Sequence, residues 1–257
     1  PLKGKGTGAW GSDTQSTGTT FAVTDKAFVD KVSVETPGYG LSQSVDGTVF
    51  EWNFPLGGTY WTATDVMLQD IAKKEMGSLK GKKIALVYHD SPYGKEPIPL
   101  LQKRAAAEGF DLVLLPVTPP GAEQKSTWLQ VPQQRPDYVL FWSAGVMTPA
   151  GIREAQASGY PRDKIYAIWW AGSDHDVKDI GDGAKGYNSI TLQNTAAKDK
   201  VLDDMKKFVY DKGQGTGSAD GVGSVAYNRG MLISMLQVEA IRAAQEKFGK
   251  GKPMTPE

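Results

Sequence analysis

Residues 82–118, KKIALVYHDSPYGKEPIPLLQKRAAAEGFDLVLLPVT, leave the chain few folds to choose from. Residues 84–88 (IALVY) are an apolar run too short for a buried helix and rich in strand formers. A run that is apolar on both sides suits a parallel strand covered on both faces. The polar loop 89–94 breaks it, and residues 95–108 then carry Ile98, Leu101 and Ala105 on one helical stripe. Gly109 stops that helix as a C-cap glycine does, and residues 112–115 return as a strand. The unit is βαβ. If it repeats, the fold is an open α/β sheet whose ligand lies at the carboxyl ends of the strands.

The unit does repeat. Thr59 is placed to cap a helix to Glu75, with Val66, Met67 and Ile71 on its inner stripe and Gly77 as its stop. After the central unit come a loop at 119–121 and a helix over 123–134 that Pro132 should end early. Strand 138–142, loop 143–148, helix 149–158 and strand 164–170 follow. Residues 59–170 therefore alternate helix and strand in the manner of a doubly wound parallel sheet.

The flanks are less regular. Residues 1–20 are rich in glycine and hydroxyls and read as a loop leading to a helix N-terminus near Ser16 and Thr17, with the helix body at 21–30. Gly6-x-Gly8-x-x-Gly11 has the letters of a dinucleotide fingerprint, but residues 1–5 supply no strand before it. Strands are expected at 32–36 and 47–55, a turn at 37–40, and a natural hinge at Gly57 and Gly58. Downstream the pattern gives a strand at 186–193 and an amphipathic helix at 198–212, with Leu202, Met205, Phe208 and Val209 on one side. A glycine-rich loop at 213–223 leads to a long helix at 225–248 carrying Leu232, Leu236, Ala240 and Ile241. The final KPMTPE reads as a continuation cut short.

Composition removes several chemistries. Lys+Arg and Asp+Glu are both 29, so no global field draws the chain to nucleic acid or an anionic membrane. Cysteine is absent, which excludes disulfides, thiolate catalysis and Cys-ligated zinc and is compatible with an oxidising compartment. No apolar run approaches a membrane span, and the opening residues do not read as a signal peptide. There is no G-x-S-x-G elbow, P-loop, H-E-x-x-H or EF-hand pattern. His89 and His175 each follow an expected strand. Asp174, His175 and Asp176 are chain neighbours, which rarely chelate one ion together, so neither a metal nor a cofactor is expected.

What remains at the strand ends is an inventory for binding: Ser16 and Thr17, Tyr39 between two glycines, Tyr93, Ser143 with Gly145, and Asp174. Hydroxyls and free amides at a helix N-terminus suit a carboxylate. An acidic side chain suits an ammonium or a hydroxyl, and tyrosine gives an apolar wall with a polar tip. Trp142, Trp169 and Trp170 read as strand residues of the core.

The order of blocks LKGKG, STG, DKAFVDKV, TPGYG, VFEWNFP, LKGKKIALVYHDSPYGKEP, RPDYVLFW and WWAGSDHDV, with GAKGY after it, resembles the substrate-binding proteins of branched-chain amino-acid-type ABC transporters. These are type I periplasmic binding proteins, similar to the Leu/Ile/Val-binding protein. The resemblance covers essentially the whole chain. It implies an α/β fold of two Rossmann-like lobes with parallel sheets, joined by crossover strands and closing on a small ligand. Two crossovers would fall near 52–57 and 190–195, making residues 1–56 and 194–257 a partial first lobe and 57–193 the second. The family has further units at both ends, so an internal fragment with an incomplete first lobe is expected.

By position, the resemblance gives Ser16 and Thr17 to the ligand carboxylate. Gly38, Tyr39 and Gly40 match the turn that offers a carbonyl to the amine and donors to the carboxylate. Tyr39 replaces a smaller residue there and favours a flat or aromatic acid. Tyr93 matches an aromatic cleft residue, and Asp174 the acidic partner of the ammonium, one methylene shorter than the usual glutamate. Ser143 begins a ligand-facing loop in which Val146 and Met147 replace a tyrosine.

The implied protein is a non-enzymatic, monomeric, periplasmic receptor. It would bind a branched-chain or related amino acid, or an aromatic or aliphatic acid, and deliver it to ABC permease subunits in the membrane, without cofactor or nucleic acid. A rival reading is an α/β enzyme acting on a small acid or sugar, with His89 or His175 as general base. A third is the sensory domain of a receptor or regulator with the same fold.

Overall fold

Two parallel sheets carry the chain. The computed structural model describes residues 11–193 and 198–251. In the first sheet β1 (Gly11–Ser12), β2 (Ser33–Thr36) and β3 (Asn53–Pro55) lie side by side in that order. In the second, β4 (Lys83–His89), β5 (Asp111–Val117), β6 (Tyr138–Trp142), β7 (Ile165–Ala167) and β8 (Asn188–Ser189) run in the order β5-β4-β6-β7-β8. Ile84 pairs with Leu112 on one side and Tyr138 on the other, so β4 is interior to the sheet. The chain leaves β4 for β5 at one edge and returns to β6 on β4's other flank. That reversal makes the carboxyl end of β4 a topological switch point, where α/β sheets open a crevice.

The helices are α1 (Thr17–Asp30), α2 (Tyr60–Lys74), α3 (Pro92–Lys95), α4 (Ile98–Glu108), α5 (Lys125–Gln134), α6 (Met147–Ala157), α7 (Asp174–Val177), α8 (Lys200–Met205) and α9 (Val225–Phe248). No described helix is long and apolar enough to cross a membrane. The core sits around the second sheet. Successive residues Ile84, Ala85, Leu86 and Val87 are all fully buried, and all five residues of β6 are buried, so both sheet faces are covered. Met67, Leu68 and Ile71 of α2, Leu101 of α4 and Trp128 and Val131 of α5 pack into the same core. Each such aliphatic side chain contributes about 1.5–3 kcal/mol by leaving water. Gln124 is buried with every side-chain atom used: Nε2 donates to the carbonyls of Gly121 and Met147, and Oε1 accepts from Trp128 Nε1.

Several sequence expectations change at their edges. Val66 is 49% exposed while Met67 and Ile71 are fully buried, because the inner stripe runs through 60, 63, 64, 67, 68 and 71. Pro132 does not end its helix early; α5 continues to Gln134, and the Arg135 N–H still reaches the Val131 carbonyl. A proline in the last turn removes only its own donor. The helix over 95–108 is divided at Pro97, which caps α4. Strand 47–55 shrinks to β3 because Asp46 draws Thr48 into a side-chain-bonded turn and its carbonyl receives Val49 and Phe50 N–H. Strand 164–170 ends at Ala167, and residues 169–171 turn as a short 3-10 helix. Strand 186–193 reduces to β8, and the helix over 198–212 changes pitch after Met205, leaving Phe208 half exposed. Gly11 and Ser12 form β1 against Ser33 and Val34 within the stretch read as loop. Gly6, Gly8, residues 194–197 and the KPMTPE end lie outside the described residues.

Candidate functional site

A cavity of about 420 Å³ opens where the carboxyl ends of both sheets meet. Gln15, Ser16, Thr17 and Gly18 reach it from the β1–α1 link, Tyr39 from the turn after β2, and Tyr60 from the start of α2. His89, Ser91, Pro92 and Tyr93 follow β4, Ala144 follows β6, and Trp170 follows β7. The wall thus comes from residues far apart in sequence, placed together because the strands of each sheet are parallel and bring their following loops to one end.

The floor on the α1 side is built for an acceptor. Ser16 is extended and caps α1, its hydroxyl accepting from Thr19 N at 3.3 Å. The first amides of a helix have no intrahelical partner, and the dipole of this 14-residue helix adds partial positive charge there. Thr17 is 3% exposed, and its Oγ1 lies beside the Tyr60 hydroxyl without making a well-formed hydrogen bond. A buried hydroxyl without a well-formed bond costs free energy unless something else supplies one. Tyr39 accepts from Gln15 N at 2.6 Å, which ties the turn after β2 to the head of α1.

Aromatic rings form the other walls. Tyr60 is stacked on Trp169 at 5.5 Å and meets Tyr93 edge-on at 5.4 Å. Its hydroxyl accepts from Trp170 Nε1 at 2.8 Å. Tyr93 donates to the Ser143 carbonyl at 2.9 Å, and Trp170 leans on Tyr39 at 5.8 Å. Burial pushes the Tyr60 and Tyr93 hydroxyls up, so both stay neutral. His89 is held below the usual histidine value, chiefly by burial against the opposing pull of Asp90; its Nδ1 lies 2.8 Å from Ser91 Oγ.

Behind this wall sits Arg229 of α9, only 7% exposed. Its guanidinium lies 4.4 Å from the Trp170 ring centre, and Nη2 donates to the Trp169 carbonyl at 2.7 Å. Nε has no partner. Burial lowers its pKa, and Tyr60, Tyr93 and Asp176 act against that.

Of the residues expected from the sequence, Ser16, Thr17, Tyr39 and Tyr93 come together on the cavity wall. Gly38 and Gly40 flank Tyr39 at positions where a side chain has no room. A Cβ on Gly38 would approach Trp169 to 2.9 Å, and one on Gly40 would meet Glu96 Oε1 at 2.4 Å. Ser143 is fully buried, its hydroxyl paired with Thr148 at 2.9 Å and its carbonyl receiving Tyr93. Asp174 opens α7 outside the cavity wall, and its Oδ2 accepts from Val225 N at 3.2 Å, capping α9. His175 also lies on α7, away from the wall. Sequence reasoning missed Gln15, Tyr60, Ser91, Trp170 and Arg229. Tyr60 had a usable signal, its position at a helix start just after a strand exit. Trp170 was hidden by its reading as strand, and Arg229 by its place inside a long amphipathic helix.

The fold and cavity define a class, and the family comparison agrees. The model of the periplasmic binding protein family matches residues 7–256. The chain belongs to that family and has its type I fold, the fold of ABC transporter solute-binding proteins. Among solved structures, an ABC transporter permease from the Pseudomonas fluorescens group is similar at 38% identity and TM-score 0.87, covering 97% of this chain and 60% of that one. A branched-chain amino acid ABC transporter from Thermus thermophilus with bound valine is similar at 21% identity and TM-score 0.74, covering 91% and 59%. A solute-binding protein of an R. palustris ABC transporter in complex with benzoate is similar at 16% identity and TM-score 0.56, covering 67% and 46%. The last two likenesses are of fold alone. The chain spans about three fifths of the first of these structures. No curated protein matches it.

Proposed function

We propose that this protein is a periplasmic solute receptor that captures a small carboxylate between two lobes and presents it to an ABC permease in the membrane. The lobes are residues 1–56 with 194–257, and 57–193, and the receptor acts as a monomer without cofactor. One observation carries the reading: the head of α1 meets the cavity with a buried Thr17 hydroxyl that makes no well-formed hydrogen bond, beside the first amides of the helix. These groups seat the carboxylate, Tyr39 and its flanking glycines close one side, and Tyr93 reports from the other lobe whether the cleft is filled. Closure is then a population shift, driven by contacts the ligand makes only when both lobes meet. The resemblance to transporter binding proteins supports the destination of the ligand, and the valine and benzoate complexes support a small acid as its class.

Thr17→Val tests the seat. It is nearly isosteric and removes a hydroxyl that makes no well-formed bond in the free protein, only a loose approach to the Tyr60 hydroxyl, so the melting temperature should hold. Affinity for the acid that binds should fall about tenfold, the worth of one hydrogen bond to a charged group. Unchanged affinity in calorimetry would remove Thr17 from the site.

A further inference from the structure

Resting on that receptor reading, we propose that the cavity selects planar aromatic carboxylates lacking an amine, with buried Arg229 supplying the positive field that favours the anion. Three observations converge on it.

An α-amino acid needs an anion for its ammonium, since burying that charge unpaired is costly. Among the described residues the cavity wall holds no Asp or Glu. The nearby carboxylates lie off the wall, and the one with a free oxygen, Glu96 Oε1, is pushed by burial toward its neutral form. Asp174 caps α9 through Val225 N, Asp176 accepts from Ser173 N, and Glu96 turns to Ser42 N at 3.2 Å. An amine entering this cavity would trade water for hydroxyls and rings.

Charge of the opposite sign is present. Arg229 is a buried guanidinium with one bonded nitrogen on the Trp169 carbonyl and an unpartnered Nε; it makes no direct ion pair with a described carboxylate, and Asp176 offsets its charge only from a distance. Breaking or omitting the counter-ion of a buried charge is expensive, so an anion arriving nearby recovers part of that cost. It stands directly behind the wall, 4.4 Å from the Trp170 ring centre and bonded to the carbonyl of Trp169, whose ring stacks on Tyr60. Arg229 touches Trp170 and acts on the ligand through space, so it is a positioning residue for the wall as well as a source of charge.

The shape of the site points to a ring. Tyr39, Tyr60, Tyr93 and Trp170 surround the space, with centroid separations of 5.4 Å for Tyr60–Tyr93 and 5.8 Å for Tyr39–Trp170. These are contacts of the wall rings with one another, so the wall is a braced aromatic surface of the kind an aromatic guest packs against. The volume of about 420 Å³ suits one ring with a short acid arm.

The experiment is titration calorimetry on the intact protein with benzoate, cyclohexanecarboxylate, 3-phenylpropanoate, 3-phenylpropanamide, phenylalanine and leucine. We expect 3-phenylpropanoate to bind at least about tenfold tighter than phenylalanine, from which it differs by the amine, and than its own neutral amide. Benzoate should exceed cyclohexanecarboxylate. Phenylalanine or leucine binding as tightly as 3-phenylpropanoate would overturn the exclusion of amines while leaving the receptor standing. Cyclohexanecarboxylate matching benzoate would overturn the preference for a ring, and parity of acid and amide would overturn the role of the positive field. No binding by any carboxylate would overturn the receptor reading together with this one. Arg229→Gln, checked for folding by circular dichroism, should weaken 3-phenylpropanoate about tenfold and phenylalanine less, with Arg229→Lys recovering part of the loss. A folded Arg229→Gln protein with unchanged affinity would sink the assignment, and if that variant does not fold, the acid–amide comparison on the unaltered protein decides.

Discussion

Tyr60→Phe removes a single oxygen from the centre of the site. The side chain is 1% exposed, and its ring contacts with Trp169, Trp142 and Tyr93 at 5.4–5.5 Å do not involve the hydroxyl, so packing survives the change. What is lost is the acceptor for Trp170 Nε1, now at 2.8 Å. Stranding a fully buried donor costs about 1–3 kcal/mol, and Trp170 is only half-buried, which puts the cost near 1 kcal/mol. For a chain of this length that shifts the melting temperature down by about 2–4 °C. The measurement is thermal unfolding by circular dichroism in a double-mutant cycle with Trp170→Phe. The coupling should be about 1 kcal/mol, because each single change destroys the same bond. A melting temperature that rises in Tyr60→Phe, or a coupling indistinguishable from zero, would refute the claim that this bond holds Trp170 on the cavity wall.

Other perturbations test the surrounding frame. Burial raises the Glu96 carboxyl despite the Ser42 hydroxyl and amide pulling it down, so its ionisation weighs against the folded state. Stability carried by the protonated form is present below the ordinary carboxylate value and is lost as pH rises through the raised one. Glu96→Gln should therefore gain on the parent between acid and neutral pH, reaching about 1 kcal/mol at neutrality. Urea midpoints that keep a constant gap from pH 4 to 7 would contradict this. Gln124→Leu strands Trp128 Nε1 and the carbonyls of Gly121 and Met147 at once, and should cost roughly 4 kcal/mol in urea unfolding. A loss below about 1 kcal/mol would mean the network relaxes freely. Gly94→Ala places a Cβ 1.8 Å from the His89 carbonyl, a backbone atom with nowhere to go. It should destabilise by about 3 kcal/mol or more and misplace Tyr93, whereas a melting curve matching the parent's would show that the turn can shift.

Legibility in the sequence followed the strength of the local signal. Strand 138–142 and helix 225–248 appear at their expected bounds, since an unbroken apolar run and a long amphipathic repeat each have one economical reading. The helix start at Ser16 was readable because capping is a two-residue affair. Strands β3, β7 and β8 were overestimated, because a β-forming composition says nothing about where a pairing neighbour ends. The site divides the same way. Ser16, Thr17, Tyr39 and Tyr93 sit directly after short signals and line the cavity; Trp170 follows a strand that ends three residues earlier than its composition suggests. Asp174 illustrates the converse. Its place after a strand was right, but its carboxylate turned to α9 rather than to the cavity.

The sequence by itself determined the element types, the parallel α/β class and the side of the sheets on which a site must lie. Periodicity, capping and the direction of a βαβ crossover are properties of neighbours along the chain, and they need no third dimension to act. Tertiary structure alone decided which groups face each other. The Tyr60–Trp170 bond spans 110 residues, Arg229 reaches Trp169 from 60 residues away, and Glu96 turns to Ser42 across 54. Such pairings depend on how two sheets are set against one another. That setting follows from the summed packing of a core rather than from any short stretch that could announce it in advance.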